Sequence, residues 1–181
     1  PHFIFNVINS VSRLLSLKEY DTAEEMLNSF AQMMRYSLTD AKSSVSLVQE
    51  LNYIHNYLAI QSIRFGDRIH YEIACDRSLH SEYIPFFSLQ PLVENSIKHG
   101  WNVDLNSILI RIVIRKDNNR LIISVKDSGA PFKPGFIPGY GLQSIYDKLE
   151  LLFPNKHDLS IISHPEKEVR IMIKVTSPSK S

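Results

Sequence analysis

Leu92-Val93-Glu94-Asn95-Ser96-Ile97-Lys98-His99-Gly100 is the densest run of chemistry-bearing residues in a chain of 181. Leu89, Leu92, Val93 and Ile97 recur at three and four residues, the period of one buried helical stripe. Glu94, Asn95 and Lys98 then share one edge, because positions three and four apart are neighbours on a helix. An asparagine oxygen suits the oxygen shell of Mg²⁺, and a nearby lysine neutralises phosphate oxygens as a point charge. The same residues also fit an amphipathic helix with a solvated polar face, so the flanking sequence has to decide.

On both sides of this helix the period is two. Ile69, Tyr71 and Ile73 alternate upstream; downstream Ile108, Ile110, Ile112 and Ile114, then Leu121, Ile123 and Val125, and finally Val169, Ile171, Ile173 and Val175 do the same, which predicts strands. Asp117-Asn118-Asn119 is turn chemistry, and His164-Pro165-Glu166-Lys167 separates a shorter strand over residues 159–162 from the last one, so both junctions predict antiparallel hairpins. Helices are predicted over residues 87–99 and 142–152. One sheet covered by helices on one face is the economical arrangement.

Before a change of character near residue 66 the chain reads as helix. Ile4, Val7, Val11 and Leu14 mark a first stripe. Asp21 with Glu24 predicts a second helix start, continued on one face by Leu27, Phe30, Met34 and Leu38 and ending near Asp40. The short link over residues 16–21 folds the two into an antiparallel hairpin, and two such hairpins would make a four-helix bundle. A third helix starts at Ser46 with Gln49 in the capping-box position. It runs through Leu51, Ile54 and Leu58 to about Phe65, where Gly66 and Asp67 stop it.

Two more constellations follow the first. Asp127-Ser128-Gly129 comes directly after a predicted strand, where a carboxylate faces any cleft beside the sheet and can accept from the amino group of adenine. It is equally a plain turn for local backbone reasons. Gly139-Tyr140-Gly141-Leu142 precedes a predicted helix, where glycines let backbone amides approach an anion at the helix N-terminus. Ser144 takes the place of a third glycine and a loop over residues 130–138 precedes it, so this is no dinucleotide fingerprint.

The rest of the composition excludes more than it suggests. Cys75 is the only cysteine, so no internal disulfide forms and a cysteine zinc site is ruled out; a reducing setting is expected. The formal charge is +1 with Lys and Arg scattered, which gives no footprint for nucleic acid. No apolar run approaches the roughly 20 residues that cross a bilayer. Paired histidines at zinc spacing and a nucleophile elbow are missing from the sequence, and the histidines after His2 are scattered. Pro1 opens the chain inside a predicted helix, so a longer protein is expected.

In order, the three constellations resemble the ATP site of the GHKL superfamily, which joins histidine kinases, gyrase, Hsp90 and MutL. Pro1-His2-Phe3-Ile4-Phe5-Asn6, with Tyr57-Leu58-Ala59-Ile60-Gln61 and Arg64-Phe65-Gly66-Asp67-Arg68, narrows the resemblance to the LytS/YehU-type sensor histidine kinases over nearly the whole chain. It implies an α+β fold: a helical phosphoacceptor and dimerisation segment over residues 1–45, then a GHKL (Bergerat) two-layer α/β sandwich over 46–176 with a mixed, mainly antiparallel sheet, and a polar tail over 177–181. It implies that His2 is the phosphoacceptor and that Asn95 holds Mg²⁺ beside a catalytic Glu94. It also implies that Lys98, His99, Asp127, Gly129, Gly139, Gly141 and Leu142 bind ATP, Asp127 reading adenine, and that residues 130–138 form a short nucleotide lid carrying Pro131, Pro134 and Pro138. Departures are Ala130-Pro131 where the first glycine box usually continues to a glycine, Ser128 for a common asparagine, and Lys148 where the family carries an arginine.

The activity implied is transfer of the ATP γ-phosphoryl to His2 and on to an aspartate of a response regulator, by a homodimer at the cytoplasmic face of the bacterial inner membrane. The membrane would be reached only through segments upstream of Pro1. Two alternatives stand beside it. The altered first glycine box suits a degenerate scaffold that signals by dimer rearrangement alone. An ATPase of the MutL or Hsp90 sort would use Glu94 to activate water.

Overall fold

The computed structural model describes residues 2–38 and 44–175. In chain order the elements are α1 (His2–Ser16), α2 (Tyr20–Ser37), β1 (Ser44–Ser46), α3 (Leu47–Phe65), β2 (Ile69–Cys75), β3 (Tyr83–Pro85), α4 (Gln90–His99), β4 (Ile108–Asp117), β5 (Arg120–Asp127), α5 (Tyr140–Leu152), β6 (His157–Ile162) and β7 (Lys167–Lys174).

α1 and α2 fold back on each other through the expected short link, where Lys18 takes a left-handed φ of 61° and Glu19 N–H donates to the Leu14 carbonyl. That turn delivers the chain into helix at once, so α2 starts at Tyr20 without a side-chain cap. Asp21 lies inside the first turn instead of capping it, which corrects the sequence expectation; its charge there favours the helix dipole. The buried face of α2 is Ala23, Met26, Ser29 and Met33, because that stripe meets α3. Leu27 and Leu38, expected on the inner face, are exposed. Asp40, near which this helix was expected to end, and the tail over 177–181 lie outside the described residues.

α3 begins as expected, with the Ser46 backbone N–H and Oγ both donating to Gln49 Oε1 at 3.0 and 2.8 Å. It ends at Gly66, whose φ of 60° suits a residue without a Cβ. Besides Leu51, Ile54 and Leu58 it buries Glu50, Tyr53, Tyr57, Ile60 and Gln61, since it is covered on one side by α2 and on another by the sandwich.

The five-stranded sheet has the order β2-β4-β5-β7-β6, with β2 parallel to β4 and every other pair antiparallel. Both hairpins form as expected, the first across Asn118 at φ 52°, a conformation asparagine tolerates. Ile108, Ile110, Ile112 and Ile114 are buried in the core shared with the helices, α4 lying against β4 itself. The other face carries charge: Arg111 pairs with Glu72 at 3.0 Å, and Lys126 pairs with Glu166 at 2.6 Å. This alternation makes a two-layer α+β sandwich with one solvated face. A second, two-stranded sheet of β1 and β3 has no periodic signal, being three residues a strand.

α4 starts at Gln90, three residues later than expected, because Phe87 sits at φ 54°, outside helical space, and Ser88 Oγ turns back to the Pro85 carbonyl. The Phe87 and Leu89 N–H groups donate to the carboxylate of Glu50 on α3, at 2.6 and 3.0 Å. The phenol of Tyr36 on α2 donates to the same carboxylate. Lys148 on α5 donates to the Phe86 carbonyl at 3.0 Å. The start of α4 is thus fixed from three other helices, which satisfies amide groups that a helix end otherwise leaves orphaned.

Candidate nucleotide-binding site

A cavity of about 460 Å³ opens between α4, the β5 and β7 ends and the 130–138 loop. Leu92, Val125, Leu142 and Val169 give it an apolar floor, and Asn95 and His99 line it from α4. Asp127, at the end of β5, stands in its wall with 7 % of its side chain exposed. Its Oδ2 accepts from Ser96 Oγ at 3.1 Å; its Oδ1 accepts from the Gly129 N–H and from Lys167 Nζ, both at 3.0 Å. The carboxylate is therefore fixed before any ligand arrives, which is how a polar group in an apolar pocket gains selectivity.

The 130–138 loop closes the cavity through Ala130, Pro131, Phe132, Lys133, Phe136 and Ile137. The Phe132 and Phe136 rings lie 4.8 Å apart, and the Lys167 ammonium stands 5.1 Å from the Phe132 ring centroid. Gly139 caps α5 and lines the cavity.

Other expected site residues stand elsewhere. Glu94 is half-buried, accepts from Gln90 Nε2 at 2.8 Å, and is not among the cavity-lining residues. Its charge reaches the phenols of Tyr53 and Tyr57 on α3, both pushed upward by burial first and by Glu94 next. Lys98 is exposed and outside the lining. Gly129 and Gly141 are beside the cavity rather than in it. Gly129 lies against Gly100 and the His99 carbonyl, where an added Cβ would come within 2.6 Å of backbone, and Gly141 faces Pro91 of α4. Lys148 is turned to Phe86 and Glu50 and is not among the cavity-lining residues.

His2 heads α1, exposed, with Asn6 Nδ2 on its Nδ1 at 3.0 Å, which leaves Nε2 as the nitrogen that Asn6 does not engage. It is not in the cavity lining. Its neighbour Phe3 stacks on Tyr57 at 5.4 Å, on the Glu94 side of α4. Lys167 was missed by the sequence reading: it sits in a stretch of turn residues, 40 positions from Asp127, and only the β5–β7 register places it opposite that carboxylate.

The order of elements thus sets a cavity at one end of a mainly antiparallel sheet, behind a helical hairpin. Residues 1–69 match the family described as Histidine kinase. Over 97 % of its length the chain is 27 % identical to the sensor histidine kinase BtsS of Escherichia coli K12, and over 76 % it is 39 % identical to an uncharacterized sensor-like histidine kinase of Staphylococcus epidermidis. It spans 31 % and 26 % of those proteins. The histidine kinase domain of a blue-light activated kinase from Erythrobacter litoralis shares the fold at a TM-score of 0.54 and 14 % identity, covering 89 % of this chain and 83 % of that one. The chain is thus similar to sensor histidine kinases over nearly its whole length, and its first 69 residues match the histidine kinase family. No helix among the described residues is long and apolar enough to cross a membrane.

Proposed function

We propose that this chain is the core of an ATP-dependent protein-histidine kinase that phosphorylates His2 and passes the phosphoryl group to an aspartate of a response regulator. The observation that carries this reading is the cavity in which Asp127 is held by Ser96, Lys167 and Gly129 above an apolar floor, with Asn95 on its wall. The floor accommodates a planar base and Asp127 accepts from its amino group. Gly139, at the head of α5, leaves backbone room for phosphate oxygens.

Among the described residues no group of three or more His, Cys, Asp or Glu side chains stands ready for a metal ion. A single amide oxygen, that of Asn95, on the wall of a phosphate-sized cavity fits Mg²⁺, which keeps most of its shell as water and substrate phosphate. Bound there, the ion would neutralise charge developing on the phosphate oxygens.

In the transfer a His2 ring nitrogen attacks the γ-phosphorus, an N–P bond forms, and the bond to the β,γ-bridging oxygen breaks with its electron pair leaving on ADP. A neutral imidazole needs no base to attack. Glu94, held on the side of α4 where Phe3 stacks on Tyr57, is assigned to orienting His2. In the second step a carboxylate oxygen of the regulator attacks phosphorus, the N–P bond breaks and the imidazole is regenerated. The hairpin serves as the dimerisation surface, with the sandwich from residue 46 as the catalytic unit, at the cytoplasmic face of the membrane.

The test is incubation of the whole protein and its His2→Gln variant with γ-labelled ATP and Mg²⁺. Acid-labile label on the wild type alone is the expected result. ATP binding without label would favour a regulatory scaffold, and phosphate release without protein label an ATPase.

A further inference from the structure

Lys167 is a lysine with 7 % exposure at the first position of β7. Lysine is seldom buried without a partner. Here the ammonium is 3.0 Å from Asp127 Oδ1 and donates to the His99 carbonyl at 3.1 Å. Two of its three hydrogens are thereby engaged, and Lys167 lines the same cavity as Asp127. The cavity wall thus offers, side by side, a hydrogen-bond acceptor and a cationic donor.

That pair is the complement of one purine edge. Adenine carries an amino donor at C6 next to an acceptor at N1. Guanine carries the reverse, an acceptor at O6 next to an N1–H donor, so its edge would set oxygen against carboxylate and N–H against ammonium. Resting on the ATP reading above, we infer that Lys167 is a specificity-determining residue that donates to N1 of adenine while Asp127 accepts from the C6 amino group. The ion pair with Asp127 fixes the ammonium in the cavity wall. No covalent step is involved.

Calorimetric titration of ATP, 1-deaza-ATP (C–H in place of N1) and GTP into the wild type and Lys167→Met isolates this contact. A hydrogen bond from a charged donor in a dry pocket corresponds to about 10- to 100-fold in affinity. The wild type is expected to bind 1-deaza-ATP about 10- to 100-fold more weakly than ATP, and GTP more weakly still. In Lys167→Met the ATP and 1-deaza-ATP affinities are expected to agree within about twofold. Equal binding of the two adenine nucleotides by the wild type overturns the inference while leaving the ATP reading intact. Discrimination that survives in Lys167→Met overturns it as well. Binding of none of the three overturns the nucleotide reading and this inference with it. Because Lys167→Met removes one member of a buried ion pair, circular dichroism accompanies the titrations; if that variant does not fold, the wild-type comparison decides alone.

Discussion

The phenol of Tyr36 donates to Oε1 of Glu50, a bond from the second helix of the hairpin into a carboxylate that has no solvent exposure. The same carboxylate holds the amides that lead into α4, so the helix carrying Asn95 and the hairpin meet at one side chain. Tyr36→Phe keeps the ring against Tyr53 and Phe86, at 5.1 and 4.9 Å, and deletes only the donor. A hydrogen bond to a buried charge contributes about 1.5 to 3 kcal/mol. Urea unfolding is expected to register a loss in that range, and a loss below about 0.5 kcal/mol would mean that the backbone amides alone satisfy Glu50.

Burial raises the carboxyl of Glu50 above its ordinary 4.5, against hydrogen bonds from Tyr36, Leu89 and Phe87 that pull it down. A folded-state acid with a raised pKa keeps its proton where the unfolded chain has lost it. Glu50 therefore removes stability as pH rises from about 4.5 to its folded value. Glu50→Gln has no proton to lose there. The stability advantage of the wild type over this variant is expected to be greatest below pH 4.5 and to shrink above it. Urea midpoints across pH read this directly, and an advantage that grew with pH would mean that the donors outweigh burial.

Two glycines separate by geometry. A Cβ on Gly129 would lie 2.6 Å from both the Gly100 Cα and the His99 carbonyl oxygen, backbone atoms that cannot swing aside. Gly129→Ala is expected to cost about 1 to 3 kcal/mol, as overpacking does. Gly139, at φ −74°, has nothing within 4 Å of an added Cβ. Gly139→Ala should remain within about 0.5 kcal/mol of the wild type. Thermal unfolding of the two variants side by side checks both.

Asp127→Asn keeps the size of the side chain but puts an amino group where the carboxylate faces either Lys167 or the base. ATP affinity is expected to fall about 10- to 100-fold, the range for losing one hydrogen bond to a charged acceptor. An unchanged dissociation constant in a fluorescent-nucleotide competition would remove Asp127 from base recognition.

Much of this molecule was legible because its period is plain. The isoleucine alternation over residues 108–114 located β4, and the Ser46–Gln49 pair marked the start of α3 within a residue. What escaped the sequence depends on contacts distant along the chain. The face α2 buries is chosen by α3, not by its own spacing of large apolar residues. The late start of α4 follows from a positive φ at Phe87, which no residue-type preference announces. In the site, Asn95, His99 and Asp127 were readable as motifs and line the cavity together. Lys167 was not, because a lysine in a turn carries no signal until strand register sets it opposite an aspartate. Glu94 was read with Asn95 on one helical edge, yet one helical step rotates it towards α3.

Gly100 and Gly129 touch backbone to backbone, and Ser128 Oγ adds a bond to the Gly100 carbonyl at 3.2 Å. The end of α4 and the end of β5 therefore move as one piece, with Asn95, His99 and Asp127 upon it. The opposite wall is a loop in which Gly135 takes φ 74° with open space around it and Ile137 is 85 % exposed. The two walls thus differ in restraint: one is tied by backbone contact and a side-chain bond, and the other hangs on a glycine in left-handed space. On the ATP reading proposed above, substitutions in that loop other than at Phe132, which packs on Lys167, are expected to alter nucleotide exchange more than nucleotide choice.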